Sequence, residues 1–147
     1  MTDATPKLSA VERAAMKEYL AEQKAQTKRA RSANEAAENL ADVLDKIAKM
    51  APADRKIAES IHKLIARIAP ELAPKTWYGM QAYFLDGKVV AFFQDGGKFK
   101  SRYSTLGFQQ DAALDDGDMW PTSFAVLEYN SAVEKRITEL VLQAVGR

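Results

Sequence analysis

Residues 77–106, WYGMQAYFLDGKVVAFFQDGGKFKSRYSTL, decide the fold, because their hydrophobic residues have the spacing of strands rather than of helices. The Asp-Gly pair at 86–87 predicts a type I′ hairpin turn, whose two central residues need positive φ. Residues 88–94 form a short apolar run typical of a central strand, and Asp-Gly-Gly at 95–97 predicts another turn. Residues 98–106 alternate again, so the stretch predicts an antiparallel meander with one solvated face.

Helical periodicity flanks this meander on both sides. Apolar residues recur at helical spacing in three segments and predict amphipathic helices that include 40–47, 57–68 and 133–141. A further helix is expected over about 9–30, where Ser9 and Glu12 form a capping box. Its apolar stripe is thin, so this first helix has little surface to bury against the rest of the chain.

These patterns predict an α+β fold, in which helices cover one face of an antiparallel sheet of about four strands. The strands are expected over 77–85, 88–94, 98–106 and 123–129. We place a helical N-terminal extension at residues 1–50 and the sheet-bearing domain at residues 51–147. The uncovered face of the sheet is where we expect binding.

The composition is that of an ordinary globular domain. Hydrophobic residues make up 47% of the 147 residues, which is enough for a core without a metal or disulfide. The absence of cysteine excludes disulfides, thiolate catalysis and zinc–cysteine sites. The net charge of +1 favours neither nucleic acid nor an anionic membrane, and no apolar run reaches membrane-spanning length. We therefore expect a cytoplasmic protein with no membrane partner.

The meander and the segment after it resemble a known family. Residues 75–108, KTWYGMQAYFLDGKVVAFFQDGGKFKSRYSTLGF, and residues 114–141, LDDGDMWPTSFAVLEYNSAVEKRITELV, are similar to the YdhG-like family, a bacterial domain of unknown function. The W-Y-G-M and M-W-P-T elements carry the resemblance, which covers about residues 51–145. Gln81 stands where the usual G-M-P-A-Y run has proline. The resemblance implies a fold similar to frataxin, and it implies an iron-chaperone role because some members are described as frataxin-like iron chaperones.

An acidic loop is the candidate metal site. Asp115, Asp116 and Asp118 lie close together in sequence, and clustered carboxylates are hard oxygen ligands suited to iron, calcium or magnesium. The calcium-loop template fails, because Ala112 and Leu114 fall at its ligand positions. The alternative is that Asp-Asp-Gly-Asp is turn chemistry in a solvated loop.

A second candidate site is aromatic and basic. Large rings with polar tips line many ligand pockets, and a nearby lysine or arginine suits a carboxylate or phosphate. Lys98, Lys100 and Arg102 are expected to share one face of a strand. The alternatives are that the rings are core and that the basic stripe is a solvated face. The predicted ligand-binding residues are Trp77, Tyr78, Tyr83, Lys98, Arg102 and Trp120.

These candidate sites lead to three hypotheses about function. The first is a non-enzymatic binding domain that handles iron, as the resemblance implies. The second is a small-molecule site formed by the aromatic residues on the open sheet face, and the third is a protein-interaction adaptor that uses the first helix. The chain contains no Walker loop, no G-x-G-x-x-G, no H-E-x-x-H and no G-x-S-x-G motif, which removes the easily recognised enzymes but does not exclude an enzyme. An enzyme is the least favoured class.

Overall fold

A computed structural model describes residues 9–29 and 34–147, which form an α+β fold with an N-terminal helix. Within these residues the helices are α1 (Ala10–Arg29), α2 (Glu35–Ala48), α3 (Pro52–Ile68) and α4 (Ser131–Ala144). The strands are β1 (Ala73–Trp77), β2 (Met80–Leu85), β3 (Lys88–Gln94), β4 (Ser104–Phe108) and β5 (Ser123–Val126). The described part of the chain contains no helix that is long and apolar enough to cross a membrane.

The sheet is an antiparallel meander in which spatial order follows chain order, β1-β2-β3-β4-β5. Gln81 lies opposite Phe93, Phe93 opposite Leu106, and Leu106 opposite Phe124, so these four side chains share one sheet face. That face packs against the helices.

The core lies between this sheet face and α2, α3 and α4. Phe93 and Leu106 are fully buried, as are Ile61 and Ile65 on α3. The other two helices contribute buried residues to the same cluster, among them Val43, Ile47, Ile137 and Val141. The prediction that helices cover one face of an antiparallel sheet is therefore confirmed. Because α2 belongs to this core, the division at residue 50 separates elements that pack together.

Within residues 9–29 and 34–147 the sheet has five strands rather than the predicted four, because β1 precedes the predicted first strand. Pro70 and Pro74 predict the end of the helix that includes residues 57–68. Pro74 instead lies inside β1, which is an edge strand and tolerates a residue without a backbone N–H. Trp77 pairs with Met80 across a two-residue turn formed by Tyr78 and Gly79. The segment predicted as one strand from residue 77 therefore begins with a hairpin turn.

The predicted strand over 98–106 is wrong in its first half. Residues 96–101 form a turn in which Ser101 N–H donates to the Gly96 carbonyl at 2.8 Å and Lys100 has a φ of 54°, and residues 102–103 form a bend. Only the second half, from Ser104, is strand. Lys98, Lys100 and Arg102 therefore do not form a stripe on one sheet face. Their alternation with uncharged residues imitates a strand, but the chain turns back at Gly96, where an added Cβ would lie 2.7 Å from the Tyr103 carbonyl oxygen.

Several local predictions are confirmed. Asp86 and Gly87 have φ values of 51° and 79°, as a type I′ turn requires. The Ser9 hydroxyl accepts the Glu12 N–H at 3.0 Å and starts α1. Asn130 or Ser131 is the predicted cap of the last helix, and the Asn130 side chain accepts the Val133 N–H at 2.9 Å where α4 starts. The predicted first helix ends one residue beyond α1, outside the described residues.

Candidate functional site

The β1–β2 turn forms the centre of the candidate site. Tyr78 and Gly79 both have positive φ, 50° and 75°, which gives the two-residue turn the twist that a hairpin needs. Gly79 has no side chain, and a Cβ atom placed there would collide with the Glu18 carboxylate and lie 2.5 Å from the Lys98 ammonium. The bare backbone at Gly79 is therefore what allows charged side chains to approach this turn.

Two acidic side chains of α1 reach the turn. Glu22 Oε1 accepts the backbone N–H of Gly79 at 2.5 Å. Glu18 Oε2 accepts hydrogen bonds from Lys98 Nζ at 3.0 Å and from Lys46 Nζ at 3.2 Å. We call the Gly79 N–H together with the Lys46 and Lys98 ammonium groups the anion cradle. Its donors come from α2, the β1–β2 turn and the turn after β3, so the fold itself assembles them.

The two carboxylates differ in their electrostatics. Burial acts to raise the pKa of Glu18, but hydrogen bonds from Lys98 and Lys46 outweigh it and hold the pKa below its ordinary value. Burial raises the pKa of Glu22, and the hydrogen bond from Gly79 N–H only partly offsets this. Glu18 is therefore held as an anion by two cations, whereas Glu22 is the weaker acid.

An aromatic row continues from the anion cradle. The Tyr19 ring of α1 stacks on the Tyr78 ring, with centroids 3.9 Å apart and planes 6° from parallel. Trp77 meets Tyr78 edge-on at 4.9 Å and lies 5.2 Å from Phe92. Phe92 in turn lies against Gly107, where a side chain would collide with its ring. The row therefore runs from α1 to the middle of the open sheet face.

Two cavities flank the contact between α1 and the anion cradle. One of about 410 Å³ is lined by Lys46, Lys98 and Gly79, and also by Asp95, whose pKa is raised by burial. The other, of about 230 Å³, lies between α1 and α2 beside Glu18 and Glu22. The charged contacts of α1 are thus bordered by open space rather than by close-packed side chains.

The structure brings together three of the six predicted ligand-binding residues. Trp77, Tyr78 and Lys98 lie around the β1–β2 turn. Tyr83 is buried on the helix-facing side of the sheet, where its hydroxyl lies 2.9 Å from His62 Nδ1. Trp120 packs against the core, and Arg102 is exposed with its guanidinium 5.4 Å from the Tyr103 ring centre. These last three do not contribute to the anion cradle.

The acidic loop is exposed to solvent. Asp115, Asp116 and Asp118 are all exposed, and two of them border a cavity of about 570 Å³ that Trp120 also lines. Among residues 9–29 and 34–147, no group of three or more histidine, aspartate or glutamate side chains is placed to hold a metal ion. Iron binding by this loop stays a prediction.

Sequence reasoning missed Glu18, Glu22, Lys46 and Gly79. The one local signal was the helix itself: α1 has a thin apolar stripe but places two carboxylates one turn apart on one side. Their partners lie 28 to 80 positions away in the chain, so no local pattern connects them.

No protein-family model, curated protein or solved structure matches this chain. The resemblance to the YdhG-like family therefore stays a prediction.

Proposed function

We propose that this chain is a binding domain for a small anionic ligand and that the anion cradle is its binding site. One observation carries the proposal: the cradle already holds carboxylate groups, those of Glu18 and Glu22. A site that binds carboxylates supplied by its own chain has the donors to bind the same group on a free ligand.

The donors suit an anion in number and kind. Two ammonium groups and a backbone N–H converge from separate elements, and hydrogen bonds between charged groups are stronger than those between neutral ones. The Lys98 side chain is only 27% exposed, so water screens its charge less than at an open surface. The adjacent cavity of about 410 Å³ has room for a ligand larger than one carboxylate.

The proposed site is a small-molecule site, as in the second hypothesis, but it is not centred on the open sheet face. The site lies at the β1–β2 turn and combines Trp77, Tyr78 and Lys98 with Lys46 and Gly79. The iron-handling hypothesis and the adaptor hypothesis remain predictions, and the contacts around the cradle favour neither of them.

The test is a titration followed by amide NMR. Glutarate and inorganic phosphate would be added separately to the full chain and to the Glu18→Gln/Glu22→Gln variant, while the Gly79 amide signal is monitored. We expect a saturable shift of this signal, larger or at lower ligand concentration in the variant, because its cradle no longer holds a charged carboxylate.

A matched pair of lysine variants locates the site. Lys98→Gln should weaken binding about tenfold or more, since it removes a charged hydrogen-bond donor. Lys100→Gln lies in the same turn and removes the same charge outside the cradle, so it should bind as the parent does. Absence of a saturable Gly79 shift with both anions, in the parent and in the double variant, would refute the proposal.

A further inference from the structure

The contacts that α1 makes at the anion cradle indicate which chemical groups the ligand carries. Glu18, Tyr19 and Glu22 present two carboxylates and an aromatic ring to the same turn. The carboxylates fill the cradle while the ring stacks on Tyr78. One short piece of helix therefore satisfies both the charged and the aromatic part of the site.

The β1–β2 turn does not itself require a tyrosine at position 78. Asparagine, aspartate and glycine are the favoured residues at the first central position of a type I′ turn, because φ is positive there. Tyr78 has a φ of 50°, a conformation that costs a residue with a side chain of this size about 1 kcal/mol or more. What the tyrosine contributes is a flat ring held edge-on by Trp77, with one face available for stacking.

The contacts that hold α1 are mainly polar. Besides the two glutamates, Gln26 Nε2 donates to the Thr76 carbonyl on the outer strand β1 at 3.0 Å. The larger apolar residues Met16 and Leu20 are 42% and 61% exposed, so they bury little surface against the rest of the fold. A helix held by partly exposed charge pairs, with little apolar burial, opens at low free-energy cost.

We propose that the ligand is an aromatic anion, a planar ring bearing a phosphate or carboxylate. In the free chain α1 occupies the site of this ligand, and the ligand binds by displacing α1. The inference rests on the proposed function and adds two things to it. The ring of the ligand replaces Tyr19 on Tyr78, and its anionic group replaces Glu18 and Glu22 in the cradle. The chain therefore competes with its own ligand and lowers the ligand's apparent affinity.

The first measurement compares three probes on the full chain by NMR titration. Phenyl phosphate should bind about tenfold more tightly than inorganic phosphate, because only it can stack on Tyr78. AMP distinguishes two sources of the same chemistry: tighter binding of AMP than of phenyl phosphate marks a nucleotide, and the reverse marks an aryl phosphate or aryl acid. Either order supports the proposal.

The second measurement uses variants. Tyr78→Ala should remove the preference for phenyl phosphate while inorganic phosphate still binds. Glu18→Gln/Glu22→Gln should tighten phenyl phosphate binding, and α1 amides should lose exchange protection when that ligand binds to the parent chain. Glu128→Gln/Glu139→Gln removes two exposed carboxylates elsewhere and serves as the charge-matched control.

The outcomes separate this inference from the proposed function. If inorganic phosphate binds at the Gly79 amide but phenyl phosphate binds no more tightly, the aromatic part is overturned and the proposed function stands. If ligands bind while α1 keeps its protection, displacement of the helix is overturned. If no anion binds, the proposed function fails, and this inference fails with it.

Discussion

The Glu18 carboxylate lies 3.0 Å from the Lys98 ammonium, although 80 positions separate the two residues in the chain. The same carboxylate oxygen accepts from Lys46 at 3.2 Å. One side chain of α1 thereby bridges α2 and the turn after β3. Since α1 buries few apolar residues, this bridge is a main determinant of where the helix lies.

Replacing Glu18 tests that role directly. Glu18→Gln should reduce the free energy of docking α1 by about 1 kcal/mol, because the charge pairs are lost but are partly exposed in the parent. The remaining core should keep its stability. Hydrogen exchange followed residue by residue would show faster exchange in α1 and unchanged exchange in α3. Glu139→Gln, an exposed change on α4, is the control, and equal α1 exchange in both variants would contradict the prediction.

Gly79→Ala tests the close approach at the β1–β2 turn. Gly87 is the matched control, because it also has positive φ but a Cβ atom added there would meet no heavy atom within 4 Å. Each alanine should cost about 1 kcal/mol for its backbone conformation. Gly79→Ala should lower the free energy of unfolding further than Gly87→Ala does, because its methyl group would collide with Glu18 and Lys98 and push α1 away from the turn. Urea unfolding of both variants measures the difference, and equal losses would show that the approach is not tight.

The parts of the fold that could be predicted are those with a local chemical signal. The Asp86-Gly87 turn was evident because few residue pairs accept positive φ at both positions. Strand β1 was not evident, because Pro74 ends helices and also fits edge strands. Residues 98–103 alternate as a strand does, yet the chain turns there. Alternation reports which residues differ in polarity, and it cannot report where the backbone reverses.

The candidate site could be predicted only in part, for a related reason. Trp77 and Tyr78 were singled out as large rings with polar tips, and Lys98 as a cation for an anionic group, and these three do lie together. Tyr83 was grouped with them by residue type, but its place in β2 turns it toward the helices. The α1 glutamates were missed because an acidic residue on a polar helix is ordinary until the fold brings a cation to it.

His62 predicts a pH dependence of stability. Burial lowers its pKa below the ordinary value of 6.5, and its Nδ1 lies 2.9 Å from the Tyr83 hydroxyl. Because the unfolded chain binds this proton more readily, the contribution of His62 is complete above pH 6.5 and is lost as pH falls through the lowered pKa. The free energy of unfolding should therefore begin to fall as pH drops below about 6.5 and should level off below the lowered pKa, with a slope of less than about 1.4 kcal/mol per pH unit.

His62→Gln identifies the source of that slope. His62 is the only histidine in the chain, so the free energy of unfolding of the variant should depend less on pH in this range. Glu22 acts in the opposite direction: its pKa is raised from 4.5, so its effect on stability becomes less favourable as pH rises through that raised value. An equally steep fall in the variant would assign the slope to another group. Urea unfolding at several pH values makes the comparison.

Gln81 offers a test of the buried polar network beneath the sheet. Its side chain is fully buried, and Nε2 donates to the Ala58 carbonyl at 3.2 Å and to the Tyr83 hydroxyl at 3.0 Å. Its Oε1 has no hydrogen-bond partner among the described residues, and an unmet buried acceptor costs about 1–3 kcal/mol.

Gln81→Leu removes this acceptor at similar volume, and the Tyr83 hydroxyl keeps its contact with His62. In urea unfolding we expect Gln81→Leu to be as stable as the parent or more stable by about 1 kcal/mol. Gln81→Glu buries a charge at the same place, so it should be less stable than the parent by several kcal/mol at neutral pH. A loss in Gln81→Leu as large as that in Gln81→Glu would mean that the two donated hydrogen bonds outweigh the unmet acceptor.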